Sequence, residues 1–215
     1  METAEIRKLL TQAAVPVLDQ AASDDVHGVC ELPPASREHR LAHSPGKPPL
    51  GYARKLAACV RSLGYTISMH DEEELRQYVR NCGNLEAGFI QGVTTGWSRV
   101  SPFTVKLLKG QSGMSLVSTL AHEAGHIILR HNPSTSWEAE RWHRGEDPRA
   151  ELACELGAAI LMDTTGTGVA ERSLNYIGHQ LEAVSMDVVS DAVHSAATMY
   201  PWITGTVRIT TPAYL

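Results

Sequence analysis

Apolar residues recur at helical spacing in the opening segment, where Ile6, Leu9, Leu10, Ala13, Val17 and Leu18 approximate one face over residues 3–20. Pro16 is placed to kink or divide that helix. Residues 24–50 lose the periodicity and carry Pro33, Pro34, Pro45, Pro48 and Pro49 among polar residues, so they read as a loop or linker. The opening helix is then an appendage, and the candidate boundary separates 1–50 from a domain at 51–215. From Gly51 the pattern is regular: YARKLAACVRSLG predicts a helix ending at Gly64, YTISMH a strand, and DEEELRQYVRN a helix over 71–81 with acidic residues at its N-terminus, where free backbone N–H groups favour them. Two further strands are expected at 86–92 and 103–109, separated by the turn-rich TTGWSRVSP.

The second half of the chain is helical in pattern. One helix starts near Ser112 or Ser115 and runs through MSLVSTLAHEAGHIILRH to His131-Asn132-Pro133. An irregular connection over 134–147 follows, then a long helix over 149–163 despite Gly157, and further helices at about 170–183 and 186–199. The tail from Pro201 contains one short β-like run, VRIT. No internal repeat is visible. The order of elements predicts an α+β fold.

With 215 residues, 43% of them hydrophobic, the chain can bury one sizeable core. A formal charge of -5 gives no whole-chain case for nucleic-acid binding. Arg37, Arg40, Lys47, Arg54, Lys55 and Arg61 are the candidate DNA-contacting patch, with a solvated surface as the blander explanation. No run approaches the roughly 20 apolar residues of a membrane span, and METAEIRKLL lacks the apolar core of a signal peptide, so no membrane contact and a cytoplasmic location are expected. Cys30, Cys59, Cys82 and Cys154 are scattered and read as reduced thiols.

The candidate chemistry is in His122-Glu123-Ala124-Gly125-His126. Histidines four apart on a helix project from one face and can meet one ion at about 2.0–2.1 Å. Glu123 follows the first histidine and suits a general base, taking a proton from water and delivering it to the departing amine. Chance alone produces this pattern in on the order of one in 200 chains of such length. Here Leu116, Leu120, Ala124 and Ile127 or Ile128 add an apolar face for docking, and the small Gly125 admits a neighbouring segment or substrate. The alternative is a pair of buried, hydrogen-bonded histidines.

A catalytic zinc wants a third protein ligand and an open position. The next helix offers Glu151 and Glu155 on one face; Glu151 is the expected ligand and Glu155 the acceptor for the far N–H of a ligating histidine, with the exchange of the two roles open. A solvated helix face is their bland reading. Cys154 is a weaker candidate ligand, Asp163 and Asp187 have less specific contexts, and His131 falls one residue off the repeat, suiting a helix cap. Tyr176 or His179, three apart on a later helix, is the candidate donor to the oxyanion; an edge aromatic and a surface histidine are the alternatives.

TLAHEAGHIILRH followed by RAELACELGAAIL resembles the gluzincin zinc peptidases, and more closely the ImmA/IrrE peptidases and the metallopeptidase domain of ArdC-type antirestriction and polyvalent phage or plasmid proteins. LNYIGHQ is similar to a later stretch of ArdC-like proteins, so the resemblance covers about 86–183 and leaves out the first 50 residues. It implies a minimal zincin fold, zinc held by His122, His126 and Glu151, Glu123 as base, Glu155 behind the ligands, and a protein or peptide substrate such as a repressor or defence factor. Two other functions stay open: an antirestriction or regulatory binding protein with a structural zinc, and a different zinc hydrolase.

Overall fold

The computed structural model describes residues 8, 10, 12, 51–81, 91–95, 103–111, 113–129, 148–169 and 171–205. Of the opening segment, Lys8, Leu10 and Gln12 are helical, and Leu10 is buried in the main core rather than standing apart from it. Helix α1 (Tyr52–Ser62) buries Leu56, Cys59 and Val60, an i, i+3, i+4 set facing that core. It stops at Gly64, whose φ of +88° favours glycine. Strand β1 (Thr66–His70) follows, then α2 (Glu72–Asn81), whose Glu74 carboxylate accepts the Asp71 N–H at 2.9 Å.

Strands β2 (Gly92–Thr95) and β3 (Thr104–Leu108) complete a sheet of order β1-β3-β2, with β1 parallel and β2 antiparallel to β3. The β2 strand thus begins at the last residue of the strand expected at 86–92 and runs on into the stretch expected to be a turn; residues 86–90 of the expected strand lie outside the described residues. Side-chain alternation gives the sheet two faces. Val105 and Leu107 point into the core, and their cross-strand partners Thr94 and Gly92 share that face.

Helix α3 (Gly113–Ile128) lies against β2 and α1, and α4 (Pro148–Thr164) packs on α3. Buried on nearly every side, α4 is the central helix. Its Gly157 faces α6 (Met186–Thr204): a Cβ there would lie 2.2 Å from Ser195 Oγ and 3.0 Å from the Ala192 carbonyl oxygen, so the mid-helix glycine is a packing requirement. Between them α5 (Glu171–His179) ends earlier than expected, and Leu181–Ala183 form a separate 3-10 turn. The expected stop at 199 is also too early. Helix α6 continues through Pro201, which costs one N–H, because Ile203 is buried and Lys55 Nζ donates to its carbonyl at 2.6 Å.

The architecture is therefore α+β, mostly helical with one small sheet. Among the described residues no helix is long and apolar enough to cross a membrane. His131, the VRIT run, Cys30, Cys82, Arg37, Arg40 and Lys47 lie outside them; Arg54 and Arg61 are exposed on α1, while Lys55 is turned to the end of α6.

Candidate metal centre

One helical turn separates His122 from His126, and the crossing of α4 over α3 brings Glu151 to both. What sets that crossing is Gly125: a Cβ there would meet Cys154 Sγ at 3.2 Å, its Cβ at 3.3 Å and its Cα at 3.4 Å. The small residue therefore admits α4 itself. Cys154 is fully buried in this contact and hydrogen-bonds to His126, so its thiol supports a ring.

The Nε2 atoms of His122 and His126 are 3.1 Å apart. Glu151 Oε2 is 3.2 Å from the first, and its Oε1 is 3.4 Å from the second. Donors placed tetrahedrally around zinc at bonds of 2.0–2.2 Å are separated by about 3.3–3.6 Å, so the two imidazole nitrogens lie just inside one such edge, while Glu151 turns a different oxygen to each of them. His122, His126 and Glu151 can therefore hold a metal ion.

Behind His122, Glu155 Oε2 lies 2.9 Å from Nδ1. A carboxylate accepts, so this contact keeps a proton on Nδ1; once Nε2 gives up the proton it shares with Glu151, the ring is in the tautomer a metal ligand needs. Ser173 on α5 hydrogen-bonds to Glu155 in turn, a partner without a sequence signal because it comes from a separate helix. Glu151 and Glu155 thus stand on opposite sides of one imidazole.

Electrostatics follow this placement. Burial lowers the His122 pKa, but hydrogen bonds to Glu151 and Glu155 outweigh it and leave it well above the usual value. For His126 burial is likewise outweighed, by Cys154 and Glu151. Partial desolvation would raise Glu151, yet His126 and His122 hold it well below the usual carboxylate range. Glu155 is lowered mainly by His122, against its own burial.

Glu123, 5% exposed, turns to the sheet: its Oε2 accepts the Thr94 hydroxyl at 2.6 Å. Tyr176 is partly exposed, and its phenol pKa is raised by burial first and by Glu151 next, which keeps it protonated and places it within electrostatic reach of the cluster. His179 is exposed on the same helix and, among the described residues, makes no hydrogen bond or ion pair with the cluster. Glu151 and Tyr176 give the site a solvent-facing side, at 48% and 37% exposure.

No family model, curated protein or solved structure matches this chain.

Proposed function

We propose that this chain is a zinc peptidase of the gluzincin type, with the minimal zincin arrangement that its resemblance to ImmA/IrrE and ArdC-like metallopeptidases implies. The observation that carries the reading is the convergence of His122 Nε2, His126 Nε2 and the Glu151 carboxylate, with Glu123 adjacent in the chain. Two imidazoles and one carboxylate suit zinc, and Glu155 on Nδ1 of His122 is the outer support such sites use. The exposed side of the cluster favours a catalytic over a closed structural centre.

Zinc, when bound, supplies Lewis acidity and makes water a nucleophile near neutral pH. Glu123 Oε1, the oxygen not held by Thr94, takes the proton released as the water oxygen bonds to the scissile carbonyl carbon. Tyr176, protonated and beside the cluster, donates to the oxyanion that forms. As the C–N bond breaks, Glu123 returns its proton to the amine nitrogen. The substrate class is a peptide or protein, in keeping with a repressor or defence factor.

Digestion of a proteome-derived peptide library, read by mass spectrometry, tests this. Wild type is expected to generate new termini that disappear with Glu123→Gln and with 1,10-phenanthroline. A zinc-loaded wild type that produces none beyond the Glu123→Gln background contradicts peptidase action and favours the binding-protein alternative.

A further inference from the structure

The base glutamate is itself held, and by residues outside the HExxH helix. Two residues of β2 on its core-facing side, Gly92 and Thr94, flank the Glu123 carboxylate. At Gly92 a Cβ would come within 2.7 Å of Glu123 Oε1 and 2.7 Å of Thr119 Cγ2, so glycine leaves the space the carboxylate occupies. At Thr94 the hydroxyl lies 2.6 Å from Glu123 Oε2, within the range of short hydroxyl–carboxylate bonds, and 3.3 Å from the Glu123 backbone oxygen. One strand thus presents an empty place and a donor, two residues apart, to the two oxygens of one side chain.

The strand is fixed against α3 independently of this contact. Gln111 Nε2 donates to the Gln91 and Leu108 carbonyls at 3.0 and 3.2 Å. Gln111 Oε1 accepts from Thr119 at 2.9 Å and from Ser115 at 3.1 Å, and Thr119 also meets Gln91 Oε1 at 3.3 Å. This polar clamp sits one turn before Glu123 and determines how closely β2 approaches it.

We propose that Thr94 is a positioning residue for Glu123: its hydroxyl holds Oε2 and so leaves Oε1 as the oxygen that receives the proton. Its catalytic meaning rests on the peptidase reading above. Valine at 94 keeps the volume and removes the donor, leaving Oε2 unsatisfied in a buried place. Serine keeps the donor.

Acetohydroxamic acid is the probe. Its hydroxyl proton is lost on chelating zinc and passes to a neighbouring carboxylate, so its affinity reads the placement of the base without a substrate. Binding to the zinc-loaded full chain is measured beside zinc content for wild type, Thr94→Val, Thr94→Ser and Glu123→Gln. Thr94→Val is expected to weaken the hydroxamate about tenfold, the loss of one buried hydrogen bond, at unchanged zinc content. Thr94→Ser should stay within about twofold of wild type, and Glu123→Gln should weaken binding at least as much as Thr94→Val. Thr94→Val binding like wild type while Glu123→Gln is weakened overturns the role of Thr94 and leaves Glu123 as base. Equal loss of zinc in both Thr94 variants reduces the contact to a structural one and overturns it too. If Glu123→Gln has no effect, or wild type binds no zinc, the peptidase reading fails and the proposal falls with it.

Discussion

His122 is gripped on both ring nitrogens, by Glu155 at 2.9 Å and by Glu151 at 3.2 Å, and the two carboxylates do different work. Glu155→Gln keeps the shape but exchanges an acceptor for an amide; zinc affinity in competition with a chelator is expected to fall about 10–100-fold, with folding retained. Protons compete with the metal here. Because both histidines have raised pKa values, they hold protons to pH values above the ordinary 6.5, and apparent zinc affinity is expected to fall as pH is lowered through that region. In metal-free protein the signs separate. The histidine contribution to stability is complete below about 6.5 and fades as pH rises through the folded values, whereas that of Glu151 and Glu155 is present above about 4.5 and is lost as pH falls through theirs. Chelator-treated protein should therefore lose thermal stability as the pH drops below about 4.5; an unchanged melting temperature there would contradict the ion-paired cluster. Cys59 belongs to the core alone: burial pushes its thiol up to about 12, so alkylation by iodoacetamide at pH 8 should require unfolding.

At the scale of elements, close approach of α4 to its neighbours is the condition for the site. Gly157→Ala adds up to about 1 kcal/mol of helix propensity but drives a methyl into Ser195 and the Ala192 backbone, and a net destabilisation of about 1–3 kcal/mol is expected from urea unfolding. Ser195→Ala should recover part of it by removing the nearest atom. The sequence carries much of this arrangement. The i, i+4 spacing in α3 and again in α4 places each pair of side chains on one face without knowledge of the fold, which is why His122, His126, Glu151 and Glu155 were legible. Thr94 was not, because it reads as a turn residue until the β2–β3 register aligns it with Val105. Helix ends were read less well for similar reasons: Pro201 signals a stop, while the opposing contribution is the bond to the Ile203 carbonyl from Lys55, 148 positions before Ile203.

Across the whole molecule the metal site joins α3, which carries the sheet contact, to α4, the centre of the helical core. On the proposed reading zinc favours this folded pairing over the unfolded chain and stabilises it through linkage; at a free concentration of 1,000 times Kd the gain is about 4 kcal/mol. Removing zinc with a chelator should then lower the melting temperature by about 8–16 °C for a chain of this size, reversibly on adding zinc back. The measurement that bears most directly on the central claim is metal content, by elemental analysis of purified wild type beside His122→Ala and Glu123→Gln, each checked for folding. Near-stoichiometric zinc in wild type and Glu123→Gln, with its loss in His122→Ala, is the result this account predicts. Folded wild type that remains zinc-free after zinc addition would contradict it.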